Sequence, residues 1–149
     1  MRIILDGMGG DNAPRDIVKG AVMASELIND EICIVGKENL IKKELKRHKY
    51  DKTKITVEDA SQVIEMDEAP VKAVRTKKDS SMVVGLHLVK DNEADAFVSA
   101  GNSGALLRLT QFLKRELKHS SQGIVVEVQV LSTRLIILPL AAMEPVMVK

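Results

Sequence analysis

Three short segments concentrate residues able to hold an anion or a polarised carbonyl. Asp6-Gly7-Met8-Gly9-Gly10-Asp11-Asn12-Ala13-Pro14 places three glycines in four positions. Glycine permits positive φ and close backbone approach. Such a loop can aim several N–H groups at an anion, helped by the dipole of a following helix. Gly9, Gly10 and Asp11 are its candidate phosphate-loop positions, with Asn12 beside them. The alternative is a tight structural turn in which Asp11 or Asn12 caps the next helix. The loop is no dinucleotide fingerprint, since the third glycine of that pattern falls on Asn12.

Ser99-Ala100-Gly101-Asn102-Ser103-Gly104 is a second small-residue loop. Ser99, Asn102 and Ser103 can meet phosphate oxygens or a carbonyl, and backbone donors there can stabilise an oxyanion. It reads equally as a strand-to-helix turn capped by Asn102 or Ser103. The third segment, Glu68 to Met82, sets Lys72, Arg75, Lys77 and Lys78 ahead of Ser80 and Ser81. Arg75 can clamp phosphate with a bidentate fork, and Lys77 or Lys78 can add point charge. The same pattern also describes a solvated helix face ending in a serine cap.

Other chemistries find little support. His48, His87 and His119 are not at metal-ligand spacing, so no metal is expected. Gly-x-Ser-x-Gly does not occur, which removes the nucleophile-elbow pattern. Cys33 is the single cysteine and sits in an apolar run, the setting of an inert core thiol. Lys and Arg total 22 against 21 Asp and Glu, with only Tyr50, Phe97 and Phe112 as aromatics. That balance argues against a nucleic-acid partner, which needs a basic face or stacking platforms. The run Lys37–Lys54 carries eight cations against three acids. It reads as the wet face of a helix, or as a surface for an acidic protein or anionic membrane. The apolar run at Ile3–Leu5 ends at Asp6, and no later stretch approaches the ~20 residues of a spanning helix. The expectation is a cytosolic, soluble protein.

These segments need elements to position them. The 149 residues suit one domain. Apolar runs at Arg2–Leu5, Ile32–Val35, Lys54–Val57 and Ala96–Val98 read as buried strands. Between them fall helical patterns: Pro14 through Ile28, about 38–49, a short helix near Pro70, and one through about Asp91 capped by Ser80 or Ser81. Leu106, Leu109, Leu113 and Leu117 mark one face of a fifth helix. Gly123–Leu131 and Arg134–Leu140 look like two further strands. Strands spaced by helices imply a parallel α/β sheet, with ligands beyond the carboxyl ends of the strands. Both glycine loops join a strand to a helix at that end.

Taken together, the loop from Asp6, the segment Glu65-Met66-Asp67-Glu68-Ala69-Pro70 continuing through Arg75 to Met82, and Asp95–Leu106 resemble the PlsX family of bacterial phosphate acyltransferases, in order and in spacing. The resemblance covers about residues 1–107, with Gly7 standing where the family usually has alanine. It implies a three-layer α/β/α fold of the isocitrate and isopropylmalate dehydrogenase type. It implies reversible formation of acyl phosphate from acyl-[acyl carrier protein] and inorganic phosphate, feeding phospholipid synthesis. It further implies a homodimer, peripheral membrane association and no organic cofactor. Asn12, Arg75, Lys78, Ser80 and Ser81 would surround phosphate, and Ser99, Asn102 and Ser103 would face the acyl phosphate or thioester. Two other readings are a phosphotransacetylase acting on acyl-coenzyme A and a non-catalytic fragment that binds carrier protein or full-length subunits.

From Arg108 to Lys149 the chain departs from the family pattern. The expectation is a divergent tail, from a frameshift near codons 105–108 or a truncation, the alternative being a genuine divergent short form. An open sheet lacking its further strands exposes edges and apolar faces, so the chain alone is expected to be poorly soluble or only partly folded, and without turnover.

Overall fold

The computed structural model describes residues 1–116 and the strands at 126–130 and 133–137. Four parallel strands form its centre: β1 (Arg2–Asp6), β2 (Glu31–Gly36), β3 (Ile55–Asp59) and β4 (Ala96–Val98), in the order β3-β2-β1-β4. Ile4 lies opposite Cys33 on one side and Phe97 on the other. Ile4, Cys33, Ile34 and Val35 are all 1% exposed or less. Strands apolar on both faces must be covered on both faces, and burying each such side chain is worth about 1.5–3 kcal/mol.

Helices α1 (Arg15–Leu27) and α2 (Glu38–Leu45) cover one face. Val18, Ala21, Val22, Ile41 and Leu45 pack there on Ile32, Ile34 and Ile55. The other face is covered by α4 (Ser81–Lys90), through Val84, Leu88 and Val89 against Ile4, Cys33 and Val35. Gly85 lets this helix lie close, because a Cβ there would overlap the Phe97 ring. Helices α3 (Pro70–Thr76) and α5 (Ser103–Glu116) complete this layer. With α4 they enclose Ala73, Val74, Met82, Leu86, Ala105 and Leu109. The expected three-layer α/β/α arrangement is therefore present.

Several boundaries differ from expectation. Pro14 occupies the position before α1, after a cis Ala13–Pro14 bond, and the first helical residue is Arg15. Helix α2 stops at Leu45 rather than near 49, since Leu45 is its last buried residue and Lys46, Arg47 and Lys49 are exposed. Strand β3 runs on to Asp59, pairing Glu58 with Val35 and Asp59 with Gly36. Asp59 Oδ1 then accepts the Glu38 N–H at 3.0 Å, so the end of β3 satisfies the start of α2. The late strands are β5 (Val126–Val130) and β6 (Thr133–Ile137), an antiparallel pair. Residues 123–125, 131 and 138–140 of the expected strands lie outside the described residues.

The chain proceeds from β1 outward through β2 and β3, then returns to β4 on the other side of β1. Strand order reverses at the β1–β4 boundary, and the crevice beyond such a reversal is where open α/β sheets bind ligands.

Candidate functional site

Both glycine loops open from that boundary. β1 ends in Asp6 and β4 leads into Ser99, with Leu5 paired to Val98 just before them. Ser99 Oγ donates to Asp6 Oδ2 at 2.7 Å. The Met8 N–H donates to Asp6 Oδ1 at 3.1 Å, and the Gly101 N–H donates to Ser99 Oγ at 3.0 Å. Asp6 is 2% exposed. The two loops touch backbone to backbone: a Cβ on Gly9 would stand 2.7 Å from Gly101 N and 2.8 Å from Asp6 Oδ2. Gly10 has φ +95° and lies against Ala100, a conformation that L side chains disfavour. Gly7 is equally confined, since a methyl there would meet Ile34 Cγ2 at 2.7 Å and Ile41 Cδ1 at 2.9 Å. That packing accounts for glycine at this position.

Asp11 and Asn12 are exposed on the rim. Neither caps α1, whose start carries no side-chain cap bond; the Asp16 N–H instead reaches the Asn12 carbonyl at 3.2 Å. The Arg15 guanidinium, with a bond from the Asn12 side chain, holds the Asp16 carboxyl below its usual range. Gly9, Gly10, Asp11 and Asn12 thus lead directly into the N-terminal end of α1, where backbone N–H groups and the helix dipole favour negative charge.

The third segment joins the same cluster through Asn102. Its Nδ2 donates to the carbonyls of Glu65, Met66 and Glu68, each at 3.1 Å. Its Oδ1 accepts the Ala105 N–H at 2.9 Å and so caps α5. Asn102 is 6% exposed, with its whole amide engaged by backbone. Gly104 seats the start of α5 on α3, for a Cβ there would be 2.7 Å from Pro70 Cγ. Ser103, one residue on from Asn102, is exposed.

The candidates after Pro70 separate into two groups. Ser80 is fully buried and caps α4 by accepting the Val83 N–H at 3.4 Å, and Ser81 is 2% exposed in the first turn. Lys77 is tied inward, its Nζ reaching the Val63 carbonyl and Glu68 Oε2, the latter at 2.7 Å. That contact holds the Glu68 carboxyl below its usual range. Hydrogen bonds from the Ser61 hydroxyl and N–H do the same for Asp79. Arg75 and Lys78 point outward, exposed, and form no ion pair among the described residues. No bond joins either of them to the Gly9–Asn12 loop among the described residues.

One residue of the cluster went unread in the sequence. Local sequence marks Asp6 as the acid that ends an apolar run and opens the glycine segment, with no sign that it is the group on which both loops converge. The available signal was its place, immediately after a buried strand and immediately before the glycines. Among the described residues no helix is long and apolar enough to cross a membrane.

Comparison with known proteins identifies the family. The model of a family described as fatty acid synthesis protein matches residues 1–143. A phosphate acyltransferase of Clostridioides difficile (strain 630) is 47% identical over 118 residues, 79% of this chain and 35% of that protein. One from Fusobacterium nucleatum subsp. nucleatum is 51% identical over 119 residues, 79% of this chain and 36% of that protein. One from Halothermothrix orenii is 47% identical over 114 residues, 76% and 34%. The chain spans about a third of the length of the curated relatives it matches. With its family model running through residues 1–143 and nearly half its aligned residues shared with these relatives, the chain belongs to the fatty acid synthesis protein family, the PlsX phosphate acyltransferases.

Proposed function

We propose that this chain supplies the phosphate-binding loops of a phosphate acyltransferase, which converts acyl-[acyl carrier protein] and inorganic phosphate reversibly into acyl phosphate and free carrier protein. The observation that carries the reading is the contact of two glycine loops at the β1–β4 reversal, with Gly9 against Gly101 and Asp6 between them. The relatives' name, phosphate acyltransferase, supports the reaction class.

The reaction asks little covalent chemistry of a protein. A phosphate oxygen attacks the thioester carbonyl carbon, the carbonyl oxygen takes negative charge, and the carrier thiolate leaves as the carbonyl reforms. What is needed is orientation of two reactants, donors for the developing oxyanion, and shielding from water. In this reading the Gly9–Asn12 backbone and the α1 N-terminus take phosphate oxygens. Arg75 and Lys78 add cationic contacts from the rim. Ser99 lies where phosphate and thioester meet, facing the acyl phosphate, and Ser103 borders the thioester side. Ser80, Ser81 and Asn102 serve the site from within, by holding the ends of α4 and α5 in place.

The test is phosphate-dependent acyl transfer. Acyl-[acyl carrier protein] is incubated with the chain and phosphate, and acyl phosphate is trapped with hydroxylamine as the hydroxamate. Hydroxamate that rises with phosphate and needs the carrier-bound donor supports the reading. Product from acyl-coenzyme A alone favours a phosphotransacetylase. No product above the protein-free control contradicts transfer by this chain.

A further inference from the structure

A serine hydroxyl has one proton and two lone pairs. At Ser99 the proton goes to Asp6 Oδ2 at 2.7 Å, and one lone pair receives the Gly101 N–H at 3.0 Å. Only a lone pair is left. Asp6 cannot turn this arrangement round: it is 2% exposed, its other oxygen takes the Met8 N–H at 3.1 Å, and a carboxylate only accepts. Ser99 itself is half-buried at the strand reversal, where the two loops meet. A ligand that reaches Ser99 Oγ therefore meets an acceptor, with a buried carboxylate behind it.

Resting on the phosphate reading of this crevice, we infer that Asp6 is a positioning residue that sets anion specificity: acting through Ser99, it selects an oxyanion that keeps a proton, hydrogen phosphate, over one that has none, sulfate. Hydrogen phosphate can donate its P–OH to Ser99 Oγ. Sulfate is the same size and shape but carries no proton at neutral pH, so it sets lone pair against lone pair. A polar group left facing a wrong partner in a desolvated site discriminates by tenfold or more.

The experiment titrates the full chain with potassium phosphate and, separately, potassium sulfate at pH 7 and matched ionic strength. Backbone amide resonances of Gly9, Gly10 and Gly101 are followed. The wild-type chain is expected to bind phosphate at least tenfold more tightly than sulfate. In Asp6→Asn the new amide donates to Ser99 while its oxygen keeps the Met8 N–H, so the Ser99 proton turns outward. The phosphate-to-sulfate ratio then falls toward one, with sulfate gaining in absolute affinity. Ser99→Ala also lowers the ratio and decides the matter if Asp6→Asn does not fold. A purely structural Asp6 would weaken both anions together and leave the ratio intact. A wild-type ratio near one, no binding of either anion, or an unchanged ratio in the variants overturns the inference. Selective binding without acyl phosphate formation overturns the acyl-transfer reading and leaves this one standing.

Discussion

Ser99, just past the end of β4, donates its hydroxyl hydrogen bond to Asp6 at the end of β1, across 2.7 Å and 93 residues of chain. That single bond ties together two loops whose glycines could otherwise drift apart. It also explains why both must be glycine-rich: the carboxylate sits between Gly9 and Gly101, with Cβ positions 2.8 and 3.3 Å from Asp6 Oδ2. A methyl on Gly9 has no room without moving the backbone of the other loop.

Gly9→Ala is therefore expected to part the loops. Overpacking of this kind costs about 1–3 kcal/mol. Phosphate affinity should fall by tenfold or more, which calorimetric titration alongside a thermal melt would register. Unchanged affinity with an unchanged melt would mean that the loops do not need their contact.

Asn102 answers three carbonyls and one helix start with one amide. Asn102→Ala strips a cap worth about 1 kcal/mol and removes the part-buried bonds to the three carbonyls, each worth about 0.5–1.5 kcal/mol. Asn102→Asp keeps the cap but turns a carboxylate toward the carbonyls of Glu65, Met66 and Glu68. The aspartate variant should therefore rescue little. Urea midpoints of both variants check this, and near-wild-type stability in Asn102→Asp would contradict the three-carbonyl role.

Arg75 and Lys78 are exposed and outside any ion pair among the described residues. Arg75→Ala and Lys78→Ala should leave stability within about 0.5 kcal/mol. Each should weaken phosphate binding severalfold, Arg75→Ala more, because its fork binds two oxygens. Calorimetric titration with phosphate tests the pair. Unchanged affinity would return both to ordinary surface charge.

Acid should loosen the segment after β3. Glu68 and Asp79 have folded-state pKa values below their ordinary ones, from Lys77 and Ser61 respectively. A depressed carboxyl binds protons less readily folded than unfolded, so its stabilisation is complete above the unfolded value, about 4.3 for Glu and 3.9 for Asp. It is lost as pH falls through the lower folded value. Melting temperature should thus decline below about pH 4.5, and Lys77→Met should remove the Glu68 share. A melt independent of pH from 6 to 3 would contradict both contacts.

Much of this was legible in the sequence because it rests on local rules. Apolar runs of four residues mark β1 and β2, and Ser80 and Ser81 ahead of Met82 mark the start of α4, which the structure caps with Ser80. Both glycine loops could be placed at strand ends before any topology was known. What was not legible is pairing over long distances. Nothing local to Asp6 says that Ser99 will meet it, nor does anything near Asn102 announce carbonyls 34 to 37 residues earlier. Lys77 and Lys78 are adjacent and chemically alike, yet one turns in to Glu68 and the other out to solvent. Only the packing of α3 against the preceding loop separates them.

The most direct measurement is a phosphate titration of the isotopically labelled chain, read at every backbone amide. Shifts concentrated at Gly9, Gly10, Asp11, Asn12 and Gly101, saturating with one affinity and absent in Gly9→Ala, are the expected result. Shifts confined to the cationic surface around Lys46–Lys52, or no saturating shift in either glycine loop, would contradict a phosphate site at the β1–β4 reversal.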